Sequence, residues 1–212
     1  MMKRTRGLLT FVVVLVFAFA ACNKQAVDNL NNDESRIYIT DYDSTANFTS
    51  YKTYSINDSV AVVDNNQSVK QMTAADASYV DAVKKYMSQN GFTLVDKGNK
   101  PDLGVDVSRI INTSTGVVSY PDYYGGYGSY YDPYYWGYGG YDYYSPYSYG
   151  VYSIKEGAVS IDMLDLKNAA TSNKIDLLWT GLIRGEGLSD ATTADSQVKA
   201  LFDQSPYLKT NN

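Results

Sequence analysis

The side chains that most often carry acid–base and metal chemistry are scarce in this 212-residue chain. It has no histidine and a single cysteine, Cys22, so it lacks the commonest general base near neutral pH and the commonest metal ligand. A Ser-His-Asp triad and a zinc-thiolate site are therefore excluded. Carboxylates remain, and two pairs lie close in sequence: Asp162 with Asp165, and Asp102 with Asp106.

Neither pair has a spacing that suits catalysis. Two glycosidase carboxylates must flank one bond, whereas residues three or four apart in a strand are well separated, and Asp162 and Asp165 would lie on opposite faces. We therefore predict solvated strand or turn carboxylates. The chain is predicted not to be an enzyme and to need no cofactor.

The segment DYDSTAN matches part of a calcium-binding loop. It offers oxygen ligands at the alternating spacing of an EF-hand loop: Asp41, Asp43, Thr45 and Asn47. However, Ala46 stands where the loop needs glycine, and Lys52 stands where it needs a bidentate glutamate. Short polar side chains of this kind are typical of turns, so we predict a turn and no metal.

Residues 120–152 form a tyrosine- and glycine-rich tract that holds 15 of the 22 tyrosines. Asp122, Asp132 and Asp142 recur every ten residues, so the tract consists of three imperfect units. Glycine and proline interrupt it too often for one long helix or strand. Aromatic rings that could contact a ligand are Tyr123, Tyr124, Tyr130, Tyr131, Tyr134, Tyr135, Trp136, Tyr143 and Tyr144.

Three interpretations of the tract remain open. It could be a low-complexity loop between strands, partly packed by its own rings. Its exposed tyrosines and Trp136 could stack on sugars or on peptide partners, since aromatic rings give large contact area at small entropic cost. It could also self-associate, as tyrosine- and glycine-rich repeats do.

The first 22 residues have the layout of a lipoprotein leader. Three basic residues precede an apolar run of 14 residues, Leu8–Ala21, and Cys22 follows it. The run is shorter than the roughly 20 residues that span a bilayer, so we predict a signal peptide over 1–21. Acylation of Cys22 would anchor the chain, and Asn23 in the next position favours the outer membrane.

The charge of the chain argues against a polyanionic partner. Removal of the leader takes away three basic residues, and the formal net charge moves from −5 to −8. Nucleic-acid binding needs a basic patch that releases counterions from phosphates, and the mature chain has no cluster of Lys and Arg. The membrane contact is therefore predicted to be the lipid on Cys22, with no nucleic acid bound.

Beyond a polar tether over 22–35, the pattern predicts one α+β domain over 36–208. Strands are expected at 37–43 and 51–56, a loop with a weak strand at 57–72, and a helix capped by Thr73 and Asp76. A short buried strand at FTLV and a half-buried one at LGVDVSRII precede the tract. Two paired antiparallel strands follow the tract, and the second is expected to place Ile175, Leu177, Trp179 and Ile183 on one face. A helix beginning at Thr192 completes a mainly antiparallel sheet with two helices on one face.

The chain resembles a bacterial lipoprotein family catalogued as domain of unknown function 4136. The blocks that carry the resemblance occur in order: DYDSTANFTSYKTYSI, PDLGVDVS, AVSIDMLDLKN, LLWTGLIRGEG and ALFDQSPYL. The resemblance implies a cell-envelope lipoprotein with one α+β domain, often with a tyrosine- and glycine-rich stretch before the last two strands. It implies no activity and no catalytic residues.

Together these observations predict a non-enzymatic lipoprotein of the cell envelope with a structural or interaction role. It would be lipid-anchored at the outer membrane and would face the periplasm or the cell surface. The alternative is a protein that binds glycan or peptidoglycan through the tract. The sequence leaves the partner, the orientation and the oligomeric state open.

Overall fold

A computed structural model describes residues 36–64, 67–112, 135–138, 142–144 and 157–210 of the chain. Nine strands are present: β1 Ile37–Tyr42, β2 Thr53–Ile56, β3 Val60–Asp64, β4 Gln67–Gln71, β5 Thr93–Leu94, β6 Leu103–Asn112, β7 Asp142–Tyr144, β8 Ala158–Asp165 and β9 Lys174–Arg184. The α-helices are α1 Ala74–Gln89, α2 Ala169–Ser172 and α3 Ala194–Asp203. The leader and the tether lie outside the described residues.

The strands form one mixed sheet in the order β1-β9-β8-β6-β2-β5. Its long central strands β6, β8 and β9 are antiparallel, as is the pair of β1 with β9. The other edge of β6 pairs with two parallel strands: β2 pairs with the first part of β6, and β3 pairs with its later part. The predicted α+β class, with a mostly antiparallel sheet, is confirmed.

Helices α1 and α3 cover one face of the sheet, which we call the helix face. Its core includes Val105, Ile161 and Trp179 from the strands, with Tyr79 from α1 and Val198 from α3. The predicted start of α1 is confirmed, because the Thr73 side chain accepts from the backbone of Asp76 while the Asp76 carboxylate accepts from the Thr73 backbone. Such a box satisfies two amide groups that the first helical turn leaves unpaired.

Three local predictions need correction. The expected loop at 57–72 is the hairpin of β3 and β4, and Val60 and Val62 of β3 are buried because β3 also pairs with β6. Strand β5 is exposed at both residues, whereas a buried strand was expected. Helix α3 is capped at Thr193 and makes no side-chain cap bond, one residue after the predicted start at Thr192.

A register shift in β9 divides residues that were expected to share a face. Trp179 pairs with Met163, and Leu177 pairs with the next residue, Leu164. Because neighbouring strand residues point to opposite faces, Leu177 lies on the face opposite Trp179. The extra residue is a β-bulge, and strict alternation along the sequence could not locate it.

Candidate functional site

The face of the sheet opposite the helices, which we call the second face, carries a pair of acidic residues at its centre. Asp106 of β6 lies directly across from Asp162 of β8 in the antiparallel register. Both residues have 0% exposure. Directly opposed residues of antiparallel strands have Cβ atoms about 4.5 to 5.5 Å apart, so the fold brings two carboxylates together in a site without solvent.

The two carboxylates have different hydrogen-bond partners. Asp162 accepts from the Thr180 hydroxyl of β9 at one oxygen and from the Ser160 hydroxyl at the other, over 3.1 Å. The Oδ1 atom of Asp106 accepts from the side-chain amide of Asn57. Asp162 thus accepts from hydroxyl groups, whereas Asp106 accepts from an amide group.

Asn57 reaches this pair because of the way β2 and β3 share the edge of β6. The chain bends between the two strands, and the Asn57 backbone amide donates to the carbonyl of Val105 over 3.3 Å. The side chain is thereby held beside the next residue, Asp106. A segment that the sequence suggested to be a loop thus supplies a buried polar contact to the centre of the sheet.

The protein groups around Asp106, taken by themselves, favour the neutral form of its carboxyl. Burial raises the pKa of this carboxyl well above its usual range, and the negative charge of Asp162 raises it further. The hydrogen bond from Asn57 and the positive charge of Lys70 act in the opposite direction but are smaller effects. Two ionised carboxylates at this distance, removed from water, repel each other strongly.

Trp136 of the tract covers the second face next to this pair. Its ring packs on Gly104, two residues before Asp106 on the same face, and a Cβ atom added to Gly104 would lie 2.9 Å from Cζ2 of the indole. Trp136 is 5% exposed. The absence of a side chain at Gly104 therefore creates the space that the indole fills.

The neighbours of Trp136 extend these contacts. The ammonium group of Lys97 lies 3.8 Å from the centre of the Tyr135 ring, and that of Lys70 lies 5.3 Å from it. The Tyr138 hydroxyl donates to the carbonyl of Leu166 over 2.9 Å. Cations over an aromatic face are attracted by its negative potential, so residues 135–138 are fixed to the domain by packing, a hydrogen bond and charge.

A second segment of the tract joins the sheet itself. Strand β7, Asp142–Tyr144, pairs parallel with Lys174–Asp176 at the start of β9. It lies on the same edge of β9 as β1, which pairs further along, at Trp179–Arg184. The tract therefore contributes backbone pairing as well as side-chain packing.

The predicted ligand-contact residues divide into three groups. Cys22 and most of the predicted tyrosines lie outside the described residues: Tyr123, Tyr124, Tyr130, Tyr131 and Tyr134. Tyr143 and Tyr144 lie in β7. Tyr135 is half-buried and Trp136 is buried, and the Trp136 ring faces Gly104.

The carboxylate pairs that are close in sequence do not form pairs in the structure. Asp102 accepts from the backbone amides of Lys52 and Thr53, at 2.7 and 3.2 Å. Asp165 accepts from the Tyr51 hydroxyl over 2.8 Å on the helix face. The prediction of solvated carboxylates is wrong for Asp106, Asp162 and Asp165, because the sheet is covered at these three positions.

The calcium-like segment forms the expected turn. The Asp43 carboxylate accepts from the backbone amide and the hydroxyl of Thr45, at 2.8 and 2.7 Å, and Asn47 accepts from Thr49. In the described part of the chain, no three His, Cys, Asp or Glu side chains lie close enough to hold a metal between them. Nor does any helix in those residues have the length and apolar character to span a membrane.

Comparison with known proteins identifies relatives of the same fold. The family model described as Domain of unknown function (DUF4136) matches residues 39–207. The crystal structure of a DUF4136 family protein from Bacteroides thetaiotaomicron is 27% identical, with a TM-score of 0.70 over 84% of this chain and 100% of that one.

Two other solved structures are more distant. PelC from Paraburkholderia phytofirmans, crystallised as a dodecamer, is 10% identical with a TM-score of 0.42, over 83% of this chain and 99% of that one. A PDZ domain protein from Parabacteroides distasonis is 17% identical with a TM-score of 0.43, over 82% and 37% of the two chains. The comparison with curated proteins gives no match.

Proposed function

The chain belongs to the DUF4136 family, and from that premise we propose that it is a non-enzymatic, lipid-anchored protein of the cell envelope with a structural or interaction role. The proposed anchor is the lipid on Cys22, and the proposed location is the outer membrane. The folded domain would then be the part that meets other envelope components.

The burial of the Asp106–Asp162 pair is the main support for the proposal that the protein is not an enzyme. A general acid or base has to come within hydrogen-bond reach of its substrate. Both carboxylates are fully buried, and Trp136 packs on the neighbouring Gly104. Asp102 and Asp165, the other acidic candidates, accept hydrogen bonds that hold turns and strands in place.

The interaction role is supported by the edge of the sheet at β1. Among the described residues this strand pairs with β9 alone. Ile37 and Ile39 point to the second face and are 52% and 41% exposed. An edge strand with exposed apolar side chains offers both backbone groups and apolar surface to a partner.

Glycan binding through the tract is the alternative, and the position of Trp136 bears on it. A ring that stacks on a sugar needs an open face, whereas the Trp136 ring packs on Gly104. Binding through this residue would require the ring to leave that position. If Trp136→Ala lost affinity for isolated cell wall while keeping its fold, the alternative would replace our proposal.

The anchor is tested by Cys22→Ser. This variant should lose palmitate labelling and appear in the soluble fraction, because acyl chains contribute about 0.8 kcal/mol for each buried methylene. The measurement is membrane fractionation after labelling in cells. A chain that lacks residues 121–150 but keeps Cys22 is the control and should remain labelled and membrane-bound. Membrane association of Cys22→Ser equal to wild type would refute the anchor.

A further inference from the structure

Three buried oxygen atoms around the acidic pair have no hydrogen-bond partner in the described part of the chain. They are Oδ2 of Asp106, Oδ1 of Asn57 and Oγ of Ser108. Ser108 is two residues from Asp106 on the same face, and the Asn57 amide contacts the Asp106 carboxylate. Buried polar groups are nearly always satisfied, and a cluster of unsatisfied ones indicates a bound water or ion.

The charge at this position points to an ion. Asp106 and Asp162 bring two carboxylates together at 0% exposure. Buried charges in proteins are paired with opposite charges or coordinate metals, since desolvation of an unpaired ion costs several kcal/mol. The hydroxyl groups of Ser160 and Thr180 donate to Asp162, whereas Oδ2 of Asp106 has no hydrogen-bond partner among the described residues.

The donor atoms define the class of ion. Every candidate ligand is an oxygen: carboxylates from Asp106 and Asp162, an amide oxygen from Asn57, and a hydroxyl from Ser108. Hard cations such as calcium bind sets of carboxylate and neutral oxygens in flexible geometry. Zinc and copper prefer the nitrogen and sulfur ligands that this cluster lacks.

We propose that Asp106, Asp162, Asn57 and Ser108 form a buried binding site for one hard divalent cation of the calcium class. The site lies at the centre of the second face, apart from the DYDSTAN turn and independent of the lipid anchor. The cation links β6 to β8 and to the bend between β2 and β3, so it stabilises the point at which the parallel and antiparallel parts of the sheet meet.

Trp136 determines how the cation enters. Its ring packs on Gly104 beside the site, and the site residues themselves are buried. Exchange therefore requires residues 135–138 to move away from the sheet. The cation is bound most readily while the chain folds, and exchange from the folded protein is slow.

The test is refolding of the full chain in detergent. Protein unfolded in chelator is refolded with calcium, with magnesium or with chelator, and its melting temperature and metal content are measured. We expect one bound calcium per chain and a rise in melting temperature of roughly 5 to 10 °C at about a hundredfold excess over Kd. Asp106→Asn and Asp162→Asn should each abolish both effects.

Asp41→Asn is the matched control, because it makes the same substitution in the calcium-like turn. It should bind calcium like wild type; loss of binding in this variant would place the cation at the turn and overturn the proposal. If wild-type protein binds neither calcium nor magnesium and melts at the same temperature in chelator, the acidic pair holds a proton and the proposal is wrong. The wild-type comparison decides this even if a site variant fails to fold.

Discussion

At the scale of single residues, Gly104 is where the sheet and the tract approach most closely. It is the second residue of the buried strand β6, where glycine adds no packing of its own and weakens the strand. Glycine is needed here because the indole of Trp136 occupies the volume that a side chain would fill. One residue type thus decides whether the tract can dock.

Gly104→Ala should destabilise the domain. The new methyl group would lie 2.9 Å from the Trp136 ring, and overpacking of this kind typically costs about 1 to 3 kcal/mol. Urea unfolding measures the loss. Gly98→Ala is the control, since nothing lies within 4 Å of its added Cβ atom, and its stability should stay close to that of wild type. Equal stability of the two variants would mean that Trp136 does not pack on Gly104.

Asp76 joins a helix cap to a buried ion pair. Its carboxylate accepts from the guanidinium of Arg109 over 2.8 Å as well as from Thr73, and its side chain is 1% exposed. Burial raises its pKa, but the hydrogen bonds from Arg109 and Thr73 outweigh burial, and the net pKa lies below the usual 3.8. The ionised form is therefore the one that the fold stabilises.

The stability that Asp76 contributes should depend on pH. Because its pKa is lower in the folded state, the contribution is complete above the unfolded value of 3.8 and is lost as the pH falls through the folded value. Asp76→Asn should lower the unfolding free energy by about 3 kcal/mol at pH 7, and the difference from wild type should shrink in acid.

Melting curves between pH 7 and pH 2 measure both the stability lost in Asp76→Asn at pH 7 and the decrease of that loss in acid. Asp81→Asn serves for comparison, because Asp81 pairs with Lys84 over 3.6 Å on the exposed side of the same helix. That change should cost less than about 1 kcal/mol. A gap between Asp76→Asn and wild type that stays constant into acid would contradict the assigned role of this carboxylate.

At the scale of elements, local patterns predicted most strands and both long helices, because capping residues and apolar spacing are local signals. In α1, for example, Tyr79 and Val83 recur at helical spacing in the sequence, and both are buried. The β3–β4 hairpin was not predicted. Its strands are short and flanked by polar residues, and it depends on pairing with β6, which local sequence does not encode.

The pairing of Asp106 with Asp162 could not be predicted from local patterns either. Asp106 and Asp162 each stand in an alternating apolar strand, where their positions suggested a solvated face. Their meeting depends on the register of β6 with β8, and their burial depends on the second face being covered. The alternate positions hold Gly104, Ser108 and Ser160, and since such residues are equally common on a face open to water, they gave no local signal of burial.

Deletion of residues 121–150 should lower the melting temperature. It removes Trp136 from Gly104, Tyr138 from Leu166 and the pairing of β7 with β9, and loss of a buried tryptophan alone costs about 3 to 5 kcal/mol. Deletion of residues 121–132 keeps these contacts and should cost much less, because loop length itself has a small effect. Thermal unfolding of the two chains compares them, and an unchanged melting temperature for the longer deletion would show that the docked segment adds no stability.

At the scale of the whole molecule, the first strand of the sheet pairs with the last. Strand β1 begins at Ile37 and is bonded to β9 up to Arg184, so its partner comes from the far end of the domain. A chain made from its N-terminus exposes β1 long before β9 exists, and pairings of such long sequence separation form slowly. Until β9 has been made, β1 lacks the partner that it has in the folded sheet.

Assembly of the sheet is consequently a late event that depends on nearly the entire chain. A chain broken off before β9 would present the bare edge of β1 to its neighbours, and unpaired strand edges promote aggregation. Copies of such a fragment that meet one another would join edge to edge through β1. Pairing of β1 with β9 therefore distinguishes complete from truncated sheets, because a chain in which these two strands are paired has been synthesised at least as far as β9.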